Sequence, residues 1–439
     1  MPIVPLGIDA YRRDDGFIPS ARLLNLLLEK DGSGISPDGT LRIERPRLTV
    51  LNTLTGKTRG IINDPATNEW LVVSGTTFYR DFAPLTGSIT GGNNVAMVTT
   101  KFTTAICNGV SAWLEVAGAV VLVAMPDGRN VVDVDQLDGY ILLLCDDGRY
   151  YWILPGETAV DPLNFATAES SSDAGVAIRR VGDEFWIFGS ISIEPWQPTG
   201  DPDAPFERSS GRIMAAGCLD RDTVRRFDNT LFWVRDDCNV CRGAAVPEVV
   251  STPAIAERVR KREGAMTAWT FGIDGHQVYV LRIPGQGSFA YDVSTRQWSE
   301  FGSIGQTSWE AHVGYDASGV IYAGSVLDGK VWTLAPEGTE TLERIVSAAI
   351  PITGKPPRND SLTVGVGCSA DTIMRLRWRD GQDDYPDYYE ELEVRAPYDL
   401  VTLYRLGQPQ QPYREVEVSF VGSERIRVAG CIANGAWDT

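Results

Sequence analysis

The sequence predicts an all-β protein, a β-propeller of about six blades followed by an antiparallel β-sandwich, with one or two short helices. Three observations predict it. The first is residues 271–301, FGIDGHQVYVLRIPGQGSFAYDVSTRQWSEF, a run of short strands joined by tight turns and closed by Trp298. Asp274-Gly275 turns the chain, residues 276–283 alternate apolar and polar, residues 284–287 turn it again, and residues 288–291 make the next strand. The second is recurrence: the same grammar appears at residues 138–154, 181–193, 227–235 and 313–334. The third is composition, with Gly 44 and Pro 25 gathered in short turn clusters. A meander cannot bury its apolar face alone, so repeated units must supply one another's partners.

Each element follows in order. Residues 20–30, SARLLNLLLEK, suit two or three helical turns or an extended arm, ended either way by DGSG at 31–34. From Leu48 strands take over, at 70–73, 104–107, 112–116 and 120–125, each followed by turn residues. Residues 48–334 accommodate six or seven blades at about 40–50 residues each. One helix interrupts them at 252–261, with Thr252 as N-cap and Pro253 at the first helical position. Its basic cluster, Arg258, Arg260, Lys261 and Arg262, suits the helix C-terminus; it is either a solvated face or a patch for an acidic neighbour. The grammar changes after Pro336, with a boundary or long turn at 352–358. Six further strands, at 361–366, 373–378, 388–395, 401–406, 415–421 and 425–429, suit a small sandwich. The expected division is an arm or connection at 1–47, the propeller at 48–336 and the sandwich at 337–439.

The 439 residues carry a formal net charge of -18, which argues against a protein built to grip nucleic acid, since phosphate contacts need a basic surface. An acidic wall aids solubility, and it also lets a DNA backbone slide past without adhering. Seven cysteines with mostly wide spacing make no disulfide framework. Residues 1–19 lack an apolar signal core, and the longest apolar run, 116–125, falls short of the roughly 20 residues a membrane span needs. A soluble chain made in a reducing cytoplasm is expected.

Site chemistry is thin. Cys238 and Cys241 form a C-x-x-C, but no second pair stands at metal-ligand spacing, so reduced thiols on a hairpin are favoured over zinc. His276 and His312 are the only histidines. The carboxylate pairs Asp146-Asp147, Asp383-Asp384 and Glu390-Glu391 are sequence neighbours, which on a strand point to opposite faces. Nucleophile elbow, zinc-protease helix, P-loop and dinucleotide motifs are missing. Residues 145–148 with Trp152 come nearest an aspartate-box turn but lack its serine and any repeat, and Trp437-Asp438 lies outside a blade. The expectation is no catalytic residue, no cofactor site and no metal site. Arginines outnumber lysines, which suits subunit interfaces and equally follows from genomic base composition.

The order of features resembles the packaged-DNA-stabilisation family of short-tailed bacteriophages, the nozzle or hub proteins of the tail. The resemblance is carried by NLLLEKDGSG, LRIERPRLTVL and Thr58-Arg59-Gly60 near the start. It is strongest over 182–218, at Phe188, Gly189, Ser192, Ile193, Glu194, Trp196, Thr199, Gly200, Pro205, Phe206 and Gly217. VSTPAIAERV, HQVYVLRIP and FAYDVSTRQW, ending in Trp298, continue it, and the C-terminal strands resemble the family's appended sandwich. The propeller loops look trimmed beside that family, so contacts with a particular needle or spike do not carry over.

The resemblance implies a non-enzymatic structural protein of the virion tail, synthesised in the host cytoplasm. It would form a hexameric ring beneath the portal and adaptor and above a plug, needle or spike. Such a ring extends the portal channel, retains packaged DNA and conducts it at ejection, with the DNA passing unbound by sequence and no membrane involved. The charge balance adds the expectation of acidic turns on the lumen and arginines at subunit contacts. Two other classes compete: a glycan-binding or glycan-cleaving propeller of a phage spike, which saccharide binding would reveal, and a bacterial scaffold propeller, which would stay monomeric.

Overall fold

In the computed structural model strands are the dominant element, and described residues are 3–4, 6–7, 9–11, 21–168, 173–243, 246–351, 361–381, 384–386, 389–408 and 413–434. Seven four-stranded meanders form the propeller. Blade 1 holds Thr58–Asp64, Glu69–Ser74, Thr77–Arg80 and Ala83–Pro84; blade 2 holds Ala96–Thr99, Thr104–Cys107, Ala112–Val116 and Ala119–Leu122. Blade 3 comprises Val131–Leu137, Tyr140–Cys145, Arg149–Ile153 and Phe165–Thr167; blade 4 comprises Gly175–Val181, Glu184–Gly189, Ile193–Pro198 and Phe206–Arg208. Blade 5 follows with Arg225–Phe227, Thr230–Val234, Val240–Gly243 and Glu248–Val249, and blade 6 with Thr267–Ile273, His276–Ile283, Gly287–Asp292 and Gln297–Phe301. Blade 7 takes Ala311–Ala317, Val320–Ser325 and Lys330–Ala335 from the end of the repeat and Arg47–Thr53 from its beginning. That fourth strand ties the two ends of the propeller together, with Trp332 opposite Val50 and Ala335 opposite Arg47.

The inner hairpins explain why these residues turn where they do. Asp138-Gly139, Asp228-Asn229, Asp274-Gly275 and Ser318-Gly319 all place two successive residues at positive φ, which a two-residue turn needs if its twist is to match the strands. Aspartate, asparagine and glycine tolerate that region, so the strand pairing is set locally. Between blades the filling is aromatic: Trp186 and Trp233 beside blades 4 and 5, Trp269 and Trp309 between blades 6 and 7. The helix Pro253–Arg260 forms as expected, with the Thr252 hydroxyl accepting from the Ile255 N–H, and buries Ile255 and Val259 against blades 5 and 6.

Two sheets make the sandwich. One is ordered Leu26–Lys30, Thr40–Glu44, Ile426–Asn434, Ser361–Cys368, Tyr398–Tyr404, with Ile3–Val4 also on Ile426–Asn434. The other runs Leu23–Leu24, Leu342–Pro351, Tyr413–Gly422, Thr372–Asp380, Glu390–Val394. Between them lies one apolar core that includes Leu26, Leu362, Val364, Val416, Val418 and Val428. The first 47 residues, expected as an arm or connection, thus supply ladder strands. The turn expected at 352–358 lies outside the described residues.

The helical option for residues 20–30 is not taken. Leu23, Leu24, Leu26, Leu27 and Leu28 are all buried, because the segment passes between layers, and Asn25 sits at φ 58 and breaks any helix. Its side chain satisfies four partners: Nδ2 donates to Gly302 O and Glu343 O, while Oδ1 accepts from Arg45 Nε and Gly302 N. Leu24 pairs in parallel with Glu300 of blade 6 as Leu23 pairs with Val346, so blade 6 and the second sheet form one nine-stranded sheet.

Around this seam, Arg42, Arg45, Arg47 and Arg344 are fully buried. Arg45 donates to Glu340 from both Nη atoms; Arg47 reaches Gly338 O, Glu340 O, Ser423 O and Glu424 O as well as Glu44; Arg344 shares Glu44 and Glu424 O. Buried guanidinium groups demand such pairing, since a lone charge in a dry interior is costly.

The N-terminal residues also dock on blade 6. Ala10 N donates to Trp298 O at 2.7 Å, and the Asp9 carboxylate accepts from Trp298 N at 2.9 Å. Burial pushes the Asp9 carboxyl up from its ordinary 3.8 to about 6, against the backbone N–H groups of Trp298 and Ala10. The docked state therefore favours the neutral acid, and this contribution is full below pH 3.8 and lost as pH rises through about 6. Wild type is expected to lose stability relative to Asp9→Asn over that window. Thermal unfolding of both proteins across it checks this, and parallel profiles would contradict it.

Candidate functional site: the axial cavity

The inner strands of neighbouring blades touch in cyclic order around a central cavity of about 620 Å³. All seven inner strands line it, from Gly60 and Val95 through Asp135, Arg179, Arg225 and Ala268 to Gly314. Its wall carries charged side chains as well as apolar ones. Its charges come from consecutive blades, with Arg179 and Arg180 on blade 4, Arg225 and Arg226 on blade 5, and Asp135 and Asp316 elsewhere on the wall. Both carboxylates are engaged in holding backbone, Asp135 accepting from Arg180 N and Asp316 from Gly272 N and Gly319 N.

Where the inner strands begin, the polar groups are tied across blades. Arg221, in the turn before blade 5, donates to Val132 O of blade 3 at 3.0 Å and to Asn94 O before blade 2 at 2.8 Å. Its ion pair with Asp222 spans 2.8 Å. Burial opposes the Asp222 charge, but Arg221 and Arg225 outweigh it and hold the carboxyl below its usual range. Burial raises Asp133 despite its pairing with Arg179. Burial, and then Arg179, push Arg225 down to about 10. Arg59 is buried with no carboxylate; it donates to Asn93 O, Gly75 O, Ile89 O and Thr90 O and so locks blade 1 to its following loop.

Reactive groups do not converge here. His276 hydrogen-bonds Asp292 at 2.7 Å within blade 6, and His312 Nδ1 meets Gly324 O at 3.1 Å. Burial pushes the Cys107 thiol, beside Arg221, up to about 12, the reverse of a nucleophile's environment. Cys241 is packed with Cys218 and Trp233, while Cys238 sits in the hairpin at φ 71. Among the described residues no group of three or more His, Cys, Asp or Glu is placed to hold a metal. Asp146 and Asp147 engage Asn130 and Arg129 at a turn, and Glu391 pairs with Arg375 on an exposed edge; Asp383 lies outside the described residues.

Of the residues singled out by resemblance, Gly60 lines the cavity, while those of blade 4 and Trp298 are not among its lining residues. Phe188 packs edge-on against Trp233, ring centroids 5.6 Å apart, and Trp196 and Phe206 pack with Phe185. Glu194 is buried in blade 4, and Gly200 turns its outer hairpin at φ 80. Gly189 and Gly217 permit close approach: a Cβ on Gly217 would sit 1.9 Å from Ser190 O, and one on Gly189 would meet the Asp173 carboxylate that caps Ile191 N and Ser192 N. Trp298 donates from Nε1 to Val250 O. Sequence reasoning passed over the axial arginines. Their signal was the Arg-Arg dipeptide repeated at 179–180 and 225–226, at inner-strand positions of consecutive blades.

The model of one protein family matches residues 4–337, a span that takes in all seven blades; its description is Bacteriophage P22 Gp10, beta-propeller. No curated protein matches the chain. Among solved structures, the crystal structure of the computationally designed Ika8 protein is similar with a TM-score of 0.41 and 13% identity, covering 72% of this chain and 99% of that one.

Proposed function

The chain belongs to the family of the bacteriophage P22 Gp10 β-propeller, structural proteins of the phage virion, and from that premise we propose that it is a tail-nozzle subunit working as a ring. Copies of the chain, six in the expected ring, enclose a lumen that continues the portal channel, hold packaged DNA in place and conduct it at ejection. The portal or adaptor lies above and a plug, needle or spike below. The role is mechanical and not catalytic.

The family match over the whole propeller carries this reading. Two features support it. A cavity of about 620 Å³ suits a small molecule and not a duplex, whose major groove alone is about 12 Å wide, so DNA needs a lumen between copies. Heterologous interfaces that close into a ring supply one. In addition, Arg42, Arg45, Arg47, Arg59 and Arg344 are buried, so these cations do not face passing phosphates, and the chain as a whole carries a net charge of -18.

Particles assembled without this protein are expected to package DNA and then lose it. Nuclease-protected genome per particle measures that, and particles that stay full overturn the retention role. Imaging of native particles tests the ring, for which six-fold density at the tail is expected.

A further inference from the structure

Just past the lining of the axial cavity, where the inner strands begin, stands an unbalanced set of donors. Arg59, Thr267 and His312 each directly precede a lining residue, Gly60, Ala268 and Val313. Three cations in this region are accounted for: Arg59 by four carbonyls, Arg179 by Asp133 and Arg221 by Asp222. Lys57 and Arg282 are not. Neither side chain has a hydrogen bond or ion pair among the described residues, and Arg282 Nε is buried. Burial, and then the charges of Arg282 and Arg59, hold Lys57 below its usual range.

Two more unspent groups join them. Thr267 stands opposite Arg282 in the blade 6 ladder, and its buried hydroxyl has no partner. On blade 7, His312 is 1% exposed, and its Nδ1 faces a carbonyl that can only accept, so Nδ1 carries the proton and Nε2 offers a lone pair. That Nε2 is also buried without a partner. Burial, then Lys57, keep the ring neutral by pushing its pKa down to about 3; Arg282 acts the same way and Asp222 opposes. Thr58, next to Lys57, lies against Gly324, the residue whose carbonyl His312 uses, so blades 1 and 7 meet at this point.

Two cationic donors, a hydroxyl and an imidazole lone pair match a small oxyanion that still carries a proton. We propose that this cluster, just past the lining of the axial cavity, binds inorganic phosphate, with Lys57 and Arg282 on its charged oxygens, Thr267 donating to a third and His312 Nε2 accepting from its hydroxyl. Phosphate retains at least one proton near neutral pH, whereas sulfate, of similar shape, has none to give. A site built to accept from a hydroxyl discriminates against the analogue lacking it, because its buried acceptor is left unpaired. The site lies within one chain, so it stands independently of the ring and of any role in DNA retention.

Thermal unfolding of the full chain near neutral pH tests this, with phosphate titrated against sulfate and against sodium chloride at matched ionic strength. A saturable stabilisation by phosphate is expected, with sulfate weaker by at least about tenfold in apparent affinity and Lys57→Gln and Arg282→Gln each weakening phosphate by about as much. Line broadening of the phosphorus resonance by wild type, and its loss in Lys57→Gln, provides a second readout that decides the matter if Arg282→Gln does not fold. Stabilisation that never saturates, that is equal for sulfate, or that survives in Lys57→Gln overturns the proposal.

Discussion

Replacing Arg47 with methionine is expected to destabilise the protein by about 3–5 kcal/mol, the range for breaking a buried ion pair from one side. Arg47 opens the strand that closes the propeller, opposite Ala335, and its guanidinium reaches across to the sandwich at Ser423 O and Glu424 O. Methionine fills much of the volume but leaves Glu44 with Arg344 and the Ile426 N–H, and it takes the Arg47 donors away from the carbonyls of Gly338, Glu340, Ser423 and Glu424. Denaturant unfolding measures the loss, and two separate transitions would show that propeller and sandwich had also come uncoupled. A loss below about 1 kcal/mol would mean that water enters the seam and satisfies those groups.

Trp309→Ala should be comparably severe, about 3–5 kcal/mol, as for other buried tryptophans cut to alanine. Trp309 is fully buried between blades 6 and 7, stacked on Trp269 at 5.4 Å and edge-on to Phe301 at 5.2 Å. The Arg45 guanidinium lies 4.9 Å from its ring, so the same side chain also holds the cation that binds Glu340. Trp309→Phe keeps an aromatic filling and should recover most of the loss. A double-mutant cycle between positions 45 and 309 should show coupling of about 0.5–2 kcal/mol, because a cation over a desolvated ring is not independent of it.

Local chemistry made much of the propeller legible. Asp138-Gly139 and Asp274-Gly275 declare their hairpins because few other pairs tolerate two positive φ values in succession. The seventh blade was harder to see, since its strands come from both ends of the repeat and only Leu48 marked the far end. In residues 20–30 the leucine spacing fits a helix as well as a strand, and the decision lies with partners more than 250 residues away, Glu300 and Val346. The sandwich strands at 361–434 were readable from alternation, but their pairing with the N-terminal segment is non-local. At the candidate site, an arginine on an inner strand looks like any surface arginine until ring closure turns it toward the axis. The signature residues of blade 4 were visible as a pattern, and their structural setting is packing, with Gly217 lying where no side chain fits.

The strand Leu23–Leu24 gives the molecule a mechanical character. It is laddered on one side to blade 6 and on the other to the sandwich, so neither unit can tilt against the other without breaking main-chain hydrogen bonds. A load applied to the sandwich is carried into the propeller along one unbroken beam. In the proposed ring, compliance under a pressurised DNA column would then reside between neighbouring copies, where a nozzle can widen by small rotations while each wall segment keeps its shape.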